Sequence, residues 1–288
     1  MKEETLKCPI CRGWVKQIHQ GTRDNASIAV YECHECGTKF LSTADRENDY
    51  ENGYMFEVDN VKEVDTEEWL RMSAPDDIRR HEMLRGVCRG KRLLDFGCGF
   101  GGFLTRISEV TDTCCGVEPG KQERKFLSRQ GIRCFKTLEE CGERFDMITL
   151  FHVFEHLSHP DQWLEKLSKY LEPGGIMVIE VPNAEDALLS LYESGRFADF
   201  TYWSPHLFLY TMKSLSMLIE KSGFYTIESA GQVQRYSIAN HLMWLAKGKP
   251  GGHEAWSFLD SKELNAAYEK KLREIQKCDT LFFKVRRK

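Results

Sequence analysis

A run of glycines placed directly after an apolar stretch restricts this chain to a small set of folds. In Leu93-Leu-Asp-Phe-Gly-Cys-Gly-Phe-Gly-Gly102 the apolar residues predict a strand, and the glycines predict a sharp turn into a helix that continues through Phe103 and Leu104. Glycines at such a turn let the backbone come close to a ligand with no side chain in between, and they deliver that ligand to the N-terminus of the following helix. Gly97, Gly99 and Gly102 also satisfy the G-x-G-x-x-G spacing of dinucleotide sites. Asp95 separates the two readings. A carboxylate two residues before the first glycine would repel a pyrophosphate but would attract a cation. S-adenosylmethionine carries an ammonium and a sulfonium at that end, so it is the expected cofactor, with NAD as the alternative. A second acid, Glu118, ends the apolar run Cys114-Cys-Gly-Val117 about 20 residues beyond the loop, where a carboxylate would hold both ribose hydroxyls.

From Arg92 onward strands and helices alternate, the pattern of a parallel sheet covered on both faces. Strands are expected at 114–118, 133–136, 146–151 and 176–181, with helices near 101–110 and 121–130. A further helix carries Trp163, Leu164, Leu167, Tyr170 and Leu171 on one face and stops at Glu172-Pro-Gly-Gly175. Ile78-Arg-Arg-His-Glu-Met-Leu84 predicts a helix ahead of the first strand, and Ser214 to Ser222 another. The last two strands are expected at Phe224–Glu228 and Asp279–Val285. An aromatic-rich stretch, Ala184 to Tyr210, interrupts the alternation beyond a strand's carboxyl end, where ligands of open α/β sheets bind, and is expected to form the acceptor wall. Residues 232–278 are expected to hold a loop around Lys247-Gly-Lys-Pro-Gly-Gly252 that could fold over the acceptor.

Three segments resemble the motifs of class I SAM-dependent methyltransferases, in order. Asp95-Phe-Gly-Cys-Gly-Phe-Gly101 is similar to the first motif, and Phe145-Asp-Met-Ile-Thr-Leu-Phe-His-Val-Phe-Glu-His156 to the fourth strand with its active-site loop. Leu171-Glu-Pro-Gly-Gly-Ile-Met-Val-Ile-Glu-Val-Pro182 is similar to the fifth strand and the turn before it. The resemblance implies a Rossmann-like α/β fold with a seven-stranded, mostly parallel sheet, its last strand inserted antiparallel between the fifth and sixth. It places Asp95, Gly97, Cys98, Gly99, Gly101, Glu118, Leu138 and Phe151 against the cofactor. Where relatives use an acid on the adenine amino group, only Glu139 or Glu140 could substitute. Methyl transfer also needs a proton acceptor, for which histidine is suited near neutral pH. The resemblance puts His152 and His156 beside the transferred methyl, with Glu155 to orient an imidazole. It makes His206 a second candidate base, with Tyr202 binding the acceptor. Sugar C-methyltransferases show a Tyr-x-Glu-His pattern there, whereas Trp203-Ser-Pro205 precedes His206 and lacks the acid, which argues against C-methylation.

Cys8-Pro-Ile-Cys11 and Cys33-His-Glu-Cys36 are two C-x-x-C knuckles 21 residues apart. Two turns that each aim two thiolates at one point can close a tetrahedral site, which suits zinc. Ile28–Tyr31 and Thr38–Leu41 have strand character, so residues 1–45 are expected to be a zinc ribbon. A module this short has little core of its own, and a closed four-thiolate site gives the metal a structural role. His19 and His34 are superfluous as ligands. A ribbon at this position resembles the arrangement in methyltransferases of sugar and polysaccharide biosynthesis, which implies a sugar or nucleotide-linked sugar acceptor.

Residues 46–82 are expected to be a polar linker and helical lead-in, and 83–288 the methyltransferase domain; Tyr50, Tyr54 and Phe56 are either packing anchors or flanks of the acceptor cleft. The net charge of −4, with no basic block, weighs against a nucleic-acid partner. An rRNA or tRNA base methyltransferase, its ribbon docked on RNA, therefore stands second. A SAM-binding regulatory protein without catalysis stands third. The chain shows neither a membrane span nor a signal peptide, and most of its eleven cysteines are scattered, so a cytoplasmic enzyme with reduced thiols is expected.

Overall fold

A computed structural model describes residues 6–44 and 65–288. Tyr50, Tyr54 and Phe56 lie outside the described residues. The chain divides into two compact units: Met1–Arg46 with Glu180–Lys221 and Ser229–Phe283, and Glu47–Ile179 with Ser222–Glu228 and Lys284–Lys288. The N-terminal residues and the aromatic insertion fall in one unit.

The alternating strands form one seven-stranded sheet. Its members are β4 (Arg92–Phe96), β5 (Thr113–Val117), β6 (Cys134–Phe135), β7 (Phe145–Phe151), β8 (Leu171–Pro182), β10 (Tyr225–Val233) and β11 (Thr280–Arg287). The order is β10-β11-β8-β7-β4-β5-β6, and β4 pairs in parallel with both β5 and β7. The final strand thus enters between β8 and β10, as the resemblance implied. Leu93, Leu94, Met147, Ile148, Leu150, Met177 and Val178 are all fully buried, as the central strands of a sheet covered on both faces should be. Chain order reverses direction at β4, so the switch point lies at its carboxyl end, where Asp95 leads into the glycine loop.

Helix α1 (Thr66–Cys88) is far longer than the segment expected around Ile78–Leu84. Asp65 caps it by accepting hydrogen bonds from the amides of Glu67 and Glu68, and Pro75 is accommodated in its interior. It packs against α2 (Gly102–Ile107), which starts from the glycine loop. Helices α3 (Lys121–Arg129) and α4 (Pro160–Tyr170) follow β5 and β7 closely as expected. His159 takes the left-handed N-cap position ahead of Pro160.

In the other unit β1 (Val15–Gln20), β2 (Ala29–Cys33) and β3 (Lys39–Leu41) make an antiparallel ribbon, to which β9 (Phe208–Leu209) adds a fourth strand. Two short helices of the insertion, α5 (Ala187–Ser190) and α6 (Gly195–Thr201), precede β9, and α7 (Met212–Ser222) follows it. Residues 232–278 are largely helical instead of a covering loop: α8 (Ile238–Lys247) is capped by Ser237, and α10 (Lys262–Glu274) by Ser261. Lys247-Gly-Lys-Pro-Gly-Gly252 is only the turn into the short α9 (Gly252–Ala255), with Gly248 ending α8 in the left-handed conformation.

Candidate active site

The glycine loop is pinned to the end of β5, with the Gly97 amide donating to the Val117 carbonyl at 2.7 Å. Gly97 has φ +78°, and a Cβ there would sit 2.3 Å from a Val153 methyl, so the loop both turns and makes room for the segment after β7. Asp95 is 3% exposed and accepts a 2.6 Å hydrogen bond from the Thr149 hydroxyl. Burial pushes its carboxyl up to about 7, against the opposing effects of that hydrogen bond and of Arg80. Glu118 accepts the Gly99 amide at 2.9 Å and the Gly120 amide at 2.8 Å, one on each oxygen. Burial raises it to about 7 as well, and Glu123 nearby adds to the shift. Both predicted acids thus lie at the carboxyl ends of adjacent strands, Asp95 buried and Glu118 half-buried.

The Cys98 sulfur lies 3.7 Å from that of Cys134. Leu138 is buried in the short turn after β6, and Phe151 meets Phe103 edge-on at 4.9 Å. Glu139 and Glu140 are committed elsewhere: Glu139 pairs with Lys166 at 2.6 Å and Glu140 accepts the Lys136 amide at 2.9 Å.

Two residues escaped the sequence reading. Asp77 and Arg80 of α1 are buried on one helix face with Leu84 and Cys88. The Arg80 guanidinium lies 4.5 Å above the Phe151 ring, and Asp77 comes so close to the backbone of Gly102 that a Cβ there would meet its carboxylate at 2.1 Å. The available signal was the i, i+3, i+7, i+11 spacing, which puts an acid and an arginine on an otherwise apolar stripe.

At the end of β7, His152 adopts a left-handed backbone with φ +55°, unusual for a side chain with a Cβ and a mark of functional sites. Its Nδ1 lies 3.4 Å from Oε1 of Glu155, and Nε2 of His156 lies 3.9 Å from the same oxygen. Glu155 is fully buried. His152, Glu155 and His156 thus lie close together at the end of β7. His206 and Tyr202 lie in the other unit. The His206 amide donates to the Trp203 carbonyl at 2.9 Å, and the two rings are 5.2 Å apart. Tyr202 is 3% exposed in a cluster with Ile28, Val30, Leu41 and Leu209. Its ring packs within that cluster.

The sulfurs of Cys8, Cys11, Cys33 and Cys36 lie within 4.8 Å of one another. Cys8 and Cys36 approach to 3.7 Å, and Cys11 and Cys33 to 3.4 Å. His19 is engaged with the Gly21 carbonyl and Asp199, away from any ligand role.

A family comparison matches the methyltransferase domain over residues 70–229. The chain belongs to the methyltransferase-domain family. Residues 70–229 form its methyltransferase domain, and the fold is Rossmann-like. A ubiquinone biosynthesis O-methyltransferase of Agrobacterium fabrum is 27% identical over 126 residues, 40% of this chain and 50% of that protein. A tRNA U34 carboxymethyltransferase of Hydrogenovibrio crunogenus is 28% identical over 191 residues, 60% of this chain and 54% of that protein. The methyltransferase thus spans about half the length of these curated relatives. A solved SAM-dependent methyltransferase from Archaeoglobus fulgidus shares the fold with a TM-score of 0.50 at 20% identity, covering 76% of this chain and 97% of that one. Among the described residues no helix is long and apolar enough to cross a membrane.

Proposed function

We propose that this methyltransferase transfers the methyl group of S-adenosylmethionine to a hydroxyl of a small-molecule acceptor, with histidine as the base. The observation that carries the reading is the pair Asp95 and Glu118. A buried carboxylate at about 7 gains most from a cationic neighbour, which the methionine end of the donor supplies and a pyrophosphate does not. Arg80, buried beside it, suits the donor's carboxylate, and Glu118 the ribose hydroxyls. Such a frame fixes donor and acceptor in line, the main source of acceleration in a displacement at carbon. The sulfonium supplies the activated methyl. His152 removes the acceptor proton: Glu155 holds Nδ1 and stabilises the imidazolium, so Nε2 is the atom that takes it.

A sugar-type acceptor rests on the ribbon-bearing architecture alone, and the relatives named above lend it no support. The tRNA relative favours RNA by name, against the net charge of −4. For the ribbon, we read the four cysteines as a structural zinc site. With metal–sulfur bonds of ~2.3 Å, the edge of a tetrahedron is about 3.8 Å. The closest sulfur pairs, at 3.4 and 3.7 Å, approach that length. The amides of Gly13 and Glu35 also point at Cys11 and Cys33, as they would at thiolate ligands.

Calorimetric titration with S-adenosylmethionine and NAD is the first test, and preferential binding of NAD would overturn the reading. Incubating metabolite and tRNA extracts with isotopically labelled donor then locates the methyl group. Single-turnover rates should fall by about 10²-fold or more in His152→Ala, with donor affinity retained, and an equal fall in His206→Ala alone would move the base to that residue. Unchanged rates in both would refute base catalysis by histidine.

A further inference from the structure

We infer that the ribbon is a metal-dependent clamp on the His206-bearing segment, and that the four-thiolate centre thereby controls whether the insertion is ordered. This rests on the reading of the insertion as acceptor wall and of the four cysteines as a metal site.

Residues 202–213 are bound to the ribbon at both ends. On one side the Arg23 amide donates to the Tyr202 carbonyl at 2.7 Å, and Asp24 accepts both the Ser204 amide, at 3.0 Å, and the Ser204 hydroxyl. On the other, β9 pairs with β3 through Lys39↔Leu209 and Phe40↔Phe208. Beyond β9, the hydroxyl of Thr211 donates to the Cys36 carbonyl at 2.7 Å and the Lys213 ammonium to the Glu35 carbonyl at 2.5 Å. These carbonyls belong to the second cysteine knuckle itself. Gly37, at φ +73°, completes the contact, because a Cβ there would meet a Thr211 methyl at 2.9 Å.

Between the two attachments lies His206. A strand of two residues does not stand without a partner, so the conformation of this segment depends on the ribbon. The ribbon in turn is a small module with little core of its own, so a metal joining its two knuckles would supply much of its stability. The dependence therefore runs from metal to knuckle, from knuckle to Thr211 and Lys213, and from these to His206.

The test is amide hydrogen exchange by mass spectrometry on the full chain, metal-loaded and after chelation. Exchange across 203–213 should accelerate at least about tenfold on metal removal, while peptides from β4, β5 and β7 keep their protection and donor affinity stays within about threefold. Unchanged exchange across 203–213 would overturn the clamp. Should chelation unfold the entire chain, the metal-loaded double variant Thr211→Val/Lys213→Met decides. It should keep full metal content yet exchange faster at 206–211, and wild-type exchange there would refute the proposal. Failure of the loaded protein to bind donor would instead defeat the methyl-transfer reading and leave the exchange result standing.

Discussion

Donor affinity should depend steeply on pH below neutrality, through Asp95. Its carboxyl is lifted from 3.8 to about 7 because burial penalises the charged form, and in the absence of donor it is half protonated at pH 7. A bound ammonium or sulfonium favours the carboxylate, so binding must expel a proton whenever the pH lies below that value. The sign follows: affinity is full above about pH 7 and is lost as pH falls through it. With the ionised fraction dropping from one half at pH 7 to roughly 3% at pH 5.5, the Kd should weaken about sixteenfold, or about 1.6 kcal/mol. Titration calorimetry over pH 5.5–7, in buffers of different ionisation enthalpy, reads both the Kd and the released proton. Asp95→Asn should bind weakly and lose this dependence. Glu118 is raised to about 7 as well, but ribose hydroxyls bond to either of its forms, so a slope near one is expected. A Kd that stays flat across the range in the wild-type protein would refute the charge argument.

Other consequences are as direct. Arg80→Lys gives up the planar cation stacked on Phe151 and should weaken donor binding by about tenfold in the same titration, with the fold unaltered by circular dichroism. Gly97→Ala combines a left-handed backbone with a Cβ 2.3 Å from a Val153 methyl; it should cost about 2 kcal/mol or more in chemical denaturation, and Val153→Ala should return part of that loss. Tyr225→Phe removes a buried 2.9 Å hydrogen bond from its hydroxyl to the Leu164 carbonyl, and should lower stability by about 1 kcal/mol and Tm by roughly 2–4 °C in calorimetry.

Features that depend on neighbours in sequence were legible, and features that depend on distant partners were not. The strand ending at Asp95, the glycine turn and the knuckles each announce themselves within a dozen residues, because a turn or a ligand pair is a local demand on backbone and side chain. The length of α1 was hidden by Pro75 and by the charged run around it, although the cap at Asp65 and the buried face of Asp77 and Arg80 obey helix periodicity. The helices of 238–274 were masked by the Gly-Pro turn between them, which reads as a long loop only when the serine caps at 237 and 261 are overlooked.

The pairing of β3 with β9 had no local signal at all. Lys39 and Leu209 are joined across most of the chain, and nothing about the Phe208-Leu209 dipeptide predicts a strand. That pairing changes what Tyr202 means. An aromatic in an insertion past a strand's carboxyl end reads as an acceptor contact, and nothing local announces that Ile28, Val30 and Leu41 of the ribbon pack around it. The same step changes what the ribbon means, since a module whose fourth strand is the insertion holds that insertion in place. Cofactor chemistry is written in local motifs because a donor shared by a whole family demands the same loop each time. The four-stranded sheet of β1, β2, β3 and β9 is assembled from segments far apart in sequence, and for that reason local motifs do not record it.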